Sequence, residues 1–171
     1  DRACRNVCGN WCWGRVACTR RKVSNAVAGA ACLGRHGRSG GPPLPSIEDL
    51  ADWIELLLEK LGLGETGKTV TLVGHSMGSL TALECATRHP ARIARVALIG
   101  TAVPMPVSDA LLDAAKNKEA KAIAMINTWS HSPRGTMGGY AVPGIWHLGA
   151  AKRLMERQKP GVLHNDLAAC N

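Results

Sequence analysis

A chain of 171 residues with 46% hydrophobic side chains is long enough for one domain with a sizeable core. Its net charge of +8 is local: residues 1–38 carry eight basic side chains against Asp1 alone, and the other 133 residues carry 13 basic and 12 acidic groups, so the basic balance gives the rest of the chain no nucleic-acid role. No run of about 18 apolar residues marks a membrane span and no apolar signal-peptide core precedes the first cysteines, which makes the cytoplasm the expected compartment.

Five of the seven cysteines crowd the N-terminal segment: Cys4, Cys8, Cys12, Cys18 and Cys32. Their spacing lacks paired C-x-x-C knuckles and no histidine precedes His36, which argues against zinc. Trp11 and Trp13 beside the arginines allow a nucleic-acid arm, which is the weaker reading. From His36 to Pro43 the chain is glycine- and proline-rich loop. Ser46 then caps a helix whose apolar positions Ile47, Leu50, Ala51, Ile54, Leu57, Leu58 and Leu61 recur at three- and four-residue spacing. Glu48 and Asp49 sit at its positive start, and Gly62 and Gly64 lie beyond its end.

Thr69 to Val73 is a run of strand formers, and Met77 to His89 is helix-compatible. Between them stands Gly74-His75-Ser76-Met77-Gly78, a G-x-S-x-G string in the strand, turn, helix context that gives it meaning. The glycines have a steric reason, because side chains two residues before and after a serine on so sharp a turn collide. His89-Pro90 stops the helix, and Ile93 to Gly100 reads as a second buried strand, completing a right-handed parallel crossover.

Ser108 begins a further helical pattern with Leu111, Leu112, Ala115, Ala122, Ile123 and Ile126 as its apolar face. Trp129 to Gly144 is loop, and Ile145 to Gln158 returns to helix. The last residues, Leu167 to Asn171, stand within a helical pattern. Met105, Met125, Met137, Trp129 and Trp146 either line an apolar pocket or, the simpler role, pack these helices.

From about His36 to Val103, and less specifically on to Asn171, the chain resembles the α/β-hydrolase fold family, in particular its cap-bearing esterase and lipase-like members. The Gly74 to Gly78 string matches fully, as does His89-Pro90 followed by an apolar strand. The loop Cys32-Leu33-Gly34-Arg35-His36-Gly37-Arg38-Ser39 matches the family's D-x-P-G-x-G-x-S in its second half only. The resemblance implies an α/β fold, a parallel sheet flanked by helices with a helical cap, present here in part. It divides the chain into a non-homologous segment 1–34, a hydrolase core fragment 35–103 and a cap region 104–171. Residues 1–34 have the composition of a GC-rich gene read in another frame: DNA encoding Leu-Pro-Gly-His, read one base later, spells Cys-Leu-Gly, as at Cys32 to Gly34.

For function, the resemblance implies cleavage of a small carboxylic ester through an acyl-serine on Ser76. Gly74 and Gly78 are then the turn glycines, and the Met77 N–H is one oxyanion donor. No metal and no cofactor are implied. The second oxyanion donor belongs to a His-Gly loop that has no counterpart here, since His36-Gly37 falls in a later loop. The order serine, acid, histidine is formally available through Asp109 or Asp113 and His131, His147 or His164. The family instead places acid and base after two further strands, and nothing from Pro104 onward reads as a buried strand, so both are expected outside this chain. His75 is read as a structural neighbour of Ser76, and His89 as a helix-end residue. A lactonase or other acyl or C–C bond hydrolase is the rival within the enzymes; a non-catalytic ligand-binding member is the rival outside them.

Overall fold

The structure is a computed structural model and describes residues 43–64, 69–133 and 146–171. The expectations for segment 1–34, the His36 to Pro42 loop and Met137 lie outside the described residues. Contacts divide the chain into two units, one containing Leu44–Met105 with Ala169–Asn171, the other containing Pro106–Ala168.

In the first unit, helix α1 (Ile47–Lys60) starts where Ser46 accepts a hydrogen bond from the Asp49 N–H at 3.1 Å, satisfying one of the orphan donors of the first turn. It stops in a two-bond Schellman closure: the Gly62 N–H donates to Glu59 O and the Leu63 N–H to Leu58 O, each at 2.9 Å, with Gly62 at φ 63°. Only a residue without a Cβ takes that backbone at little cost. Leu50, Ala51, Ile54 and Leu58 form the buried stripe.

Strand β1 (Val70–His75) leads into helix α2 (Met77–Arg88), and strand β2 (Ile93–Ile99) returns parallel to β1. The expected strand, helix, strand order is therefore present. One core joins all four elements through Ala51, Ile54, Leu58, Val70, Leu72, Ala82, Cys85 and Ile93. Where α1 meets the end of α2, Arg88 pairs with Asp52 at 3.0 Å and Arg92 with Glu55 at 2.8 Å. His89 lies between the two carboxylates, 3.9 Å from Asp52 and 3.8 Å from Glu55.

Strand β2 departs from its expected burial. Ile93 is buried, but Leu98 and Ile99 are 42% and 52% exposed. The run is apolar as a parallel strand should be, yet among the described residues β1 is its only sheet partner, and a parallel strand hides its side chains only where both faces are covered.

The second unit is helical. The pattern beginning at Ser108 forms two helices rather than one, α3 (Asp109–Asn117) and α4 (Glu119–Trp129), followed by α5 (His147–Met155) and α6 (Val162–Ala168). Lys118 (φ −147°, ψ 60°) closes α3 by donating to Ala114 O at 2.8 Å and opens α4 by accepting from the Lys121 N–H at 2.7 Å. The break lets Leu111, Ala114 and Ala115 of α3 share a core with Ala122 and Ile123 of α4 and Leu163 of α6. The closing helical pattern ends at Ala168.

Candidate active site

The turn between β1 and α2 carries Ser76, the candidate nucleophile. The parallel ladder fixes its entry: the Ser76 N–H donates to Ile99 O at 2.9 Å. Ser76 itself has φ 53° and ψ −128°, and it is the one non-glycine at positive φ among the described residues. Such a conformation costs about 1–3 kcal/mol and persists only where the surroundings over-determine it.

Gly74 is what lets the turn close. A Cβ there would fall onto the Gly78 carbonyl oxygen and stand 2.6 Å from Ser79 Cα. These are backbone atoms, which cannot rotate aside. The small residue at Gly74 and the strain at Ser76 are two sides of one close approach between strand end and helix start.

Ser76 occupies the position of an N-cap but makes no side-chain capping bond. An ordinary N-cap serine turns its hydroxyl back onto the helix; here the positive φ turns it away, and the residue is exposed. The hydroxyl is left free for other chemistry. Met77 opens α2 with its side chain buried, and the N–H groups of a helix's first two residues, here Met77 and Gly78, have no intrahelical acceptor. An exposed hydroxyl next to unpaired N–H donors at the positive end of a helix is an arrangement that stabilises a developing oxyanion beside the oxygen that attacks.

The His75 ring lies against Gly100, with Nε2 3.5 Å from where a Cβ on that glycine would stand. Asp109, Asp113, His131, His147 and His164 all belong to the second unit. There Asp113 accepts from the Asn117 amide at 2.7 Å, and His131 Nδ1 lies 2.8 Å from Asn127 O at the end of α4. None of these five belongs to the unit that holds Ser76. His89 is the C-cap of α2.

The apolar candidates divide. Met125 packs on the core of the second unit, whereas Trp129 and Trp146 are 61% and 65% exposed. The Trp146 ring folds over Gly149, where no side chain would fit. Two titrating groups are displaced by burial. Desolvation, with Glu55 and Asp52 nearby, pushes the Cys85 thiol up to about 11, which leaves it inert at neutral pH. Desolvation raises Asp166 to about 6, opposed by a hydrogen bond from Asn165. Among the described residues no group of three His, Cys, Asp or Glu side chains is placed to hold a metal ion, and no helix is long and apolar enough to cross a membrane. Ser79, buried beneath the turn, belongs to no motif; its only signal in the sequence is a hydroxyl three residues after another at a helix start.

A model of the alpha/beta hydrolase fold family matches residues 34–133. The chain belongs to the α/β-hydrolase fold family. The match spans more than half of the chain and takes in both strands, the turn at Ser76 and the helices α1 to α4. Among curated relatives, Methylesterase 7 of Arabidopsis thaliana is 32% identical over 97 residues, and the probable esterase PIR7A of Oryza sativa subsp. indica is 26% identical over 98. Each alignment covers 56% of this chain and 36% of the relative, so the chain spans little more than a third of the length of these proteins. A solved structure described as that of a thermophilic esterase superposes with a TM-score of 0.58 at 26% identity, covering 81% of this chain and 48% of that one.

Proposed function

We propose that the protein is a serine hydrolase that cleaves small carboxylic esters, with the β1–α2 turn as its nucleophile elbow and Ser76 as its nucleophile. The observation that carries this reading is the strained, exposed Ser76 at φ 53°, with its hydroxyl withheld from helix capping. The Ser76 hydroxyl oxygen attacks the ester carbonyl carbon while a histidine base takes the hydroxyl proton. The carbonyl oxygen becomes an oxyanion that accepts from the Met77 N–H. Collapse of this intermediate breaks the bond to the alcohol, which leaves with the proton held by the base. A water molecule, deprotonated by the same base, then releases the acid from the acyl-serine.

On this reading the base and the acid that orients it lie outside residues 1–171, because the family places both after two further strands and no strand follows β2 among the described residues. The histidines of Ser76's own unit are His75, turned toward Gly100, and His89, held between Asp52 and Glu55. Residues 1–171 alone therefore turn over slowly. No metal or organic cofactor enters the reaction. Methyl and nitrophenyl esters of short acids are the substrates to try first, the methyl esters because one relative is a methylesterase.

The test is hydrolysis of these esters by the whole protein, base included, with and without Ser76→Ala. Loss of the nucleophile should lower kcat by several orders of magnitude. Turnover that survives the substitution would rule out Ser76 as nucleophile.

A further inference from the structure

Ser79 is the third residue of α2 and has no solvent exposure. Its hydroxyl donates to the Ser76 carbonyl oxygen at 2.6 Å, and its N–H donates to the same oxygen at 2.8 Å. Two donors on one acceptor fix the direction of that carbonyl. The peptide group is planar and trans, so the N–H of Met77 points opposite to the Ser76 C=O. Whatever holds the carbonyl therefore aims the Met77 N–H. The next peptide is held in the same way, since the buried Thr81 hydroxyl donates to Met77 O at 3.2 Å.

We propose that Ser79 is a positioning residue: its buried hydroxyl clamps the Ser76–Met77 peptide, holding Ser76 in its strained conformation and aiming the Met77 N–H at the oxyanion. The inference rests on the proposed role of Ser76. Ile99 O secures the N–H side of Ser76 through the sheet, and Ser79 secures the carbonyl side through the helix. With both backbone groups of Ser76 bonded from opposite sides, the strain cannot relax by a simple rotation of either peptide. A first-turn serine hydroxyl that faces water has no such duty, but here Ser79 is buried and the carbonyl is its acceptor. Alanine at this position keeps the N–H bond and loses the shorter one, freeing the peptide to tilt. Threonine keeps the hydroxyl.

The experiment compares the unmodified whole protein, base included, with Ser79→Ala, Ser79→Thr and Ser76→Ala in two readouts. One is kcat and KM for nitrophenyl acetate; the other is the carbonyl carbon shift of Ser76 and the amide proton and nitrogen shifts of Met77 by NMR. Removing an oxyanion donor outright costs about 10²–10³-fold in kcat. A misaimed donor should cost roughly 10- to 100-fold, with KM moving by less than about twofold. Ser79→Ala should also shift the Ser76 carbonyl upfield and move the Met77 amide resonance, and Ser79→Thr should restore both. An unchanged Ser76 carbonyl shift and an unchanged Met77 amide resonance in Ser79→Ala would overturn the clamp, as would a loss of turnover that appears in KM rather than kcat. If Ser76→Ala retains turnover, or the unmodified whole protein shows none, the proposed ester hydrolysis falls while the NMR readouts still decide the clamp.

Discussion

Replacing Gly74 by alanine should be far more damaging than its single added methyl suggests. The new Cβ would lie 2.6 Å from Ser79 Cα and overlap the Gly78 carbonyl oxygen, whereas carbon atoms in good contact stand about 3.5–4.0 Å apart. The strand end and helix start must separate by roughly 1 Å, the size of that shortfall. Inserting a methyl into a well-packed site costs about 1–3 kcal/mol, occasionally more. With backbone on the other side of the clash, we expect about 3 kcal/mol or more. A 1 Å displacement of reacting groups also costs about 10²-fold in rate. Gly100→Ala is the matched control: Gly100 has φ +60°, but its Cβ would meet only the His75 ring at 3.5 Å, so backbone strain of about 1 kcal/mol is the whole penalty. Urea denaturation of the two variants measures both. Gly74→Ala no less stable than Gly100→Ala would refute the argument that close approach, rather than turn conformation alone, demands glycine before Ser76.

Ser46→Ala should cost about 1 kcal/mol in urea denaturation through loss of the cap on α1, its bond to the Asp49 N–H being the 3.1 Å contact removed. Asp166 should make the second unit less stable as pH rises: between its ordinary value of 3.8 and about 6 the folded carboxyl keeps a proton that the unfolded one has lost. Stability then falls by up to about 3 kcal/mol across that window and levels off above it. Asp166→Asn should flatten the profile, as read from urea midpoints at pH 4 to 7. Cys85, buried and held up to about 11, should escape iodoacetamide in the folded protein and react once urea is added, with peptide mapping to locate the adduct.

What the sequence makes legible here is local. The Ser46 cap, the Gly62 closure of α1 and the Ser76 turn depend on residues within a few positions of one another, and each stands where the residue types place it. The break at Lys118 has no such signal, because lysine is a good helix former and the apolar spacing runs on through it. The exposed end of β2 is illegible for a related reason: an apolar run states what a strand has to bury, not what covers it. Ser79 acquires a role only when the turn brings its hydroxyl beneath the Ser76 carbonyl. The acid and base of a triad are harder still, since they are brought to the serine by chain topology and carry no fixed spacing from it.

The most direct test of Ser76 as the reactive nucleophile is prolonged incubation of the 171-residue chain with a fluorophosphonate, followed by peptide mapping. On the proposed function, a serine in this turn keeps its oxyanion donor while residues 1–171 lack general-base assistance worth roughly 10²–10⁴-fold. The account therefore predicts a single adduct, formed slowly, on Ser76 and abolished by Ser76→Ala. No adduct after exhaustive incubation, an adduct on another serine, or one that persists in Ser76→Ala would contradict it.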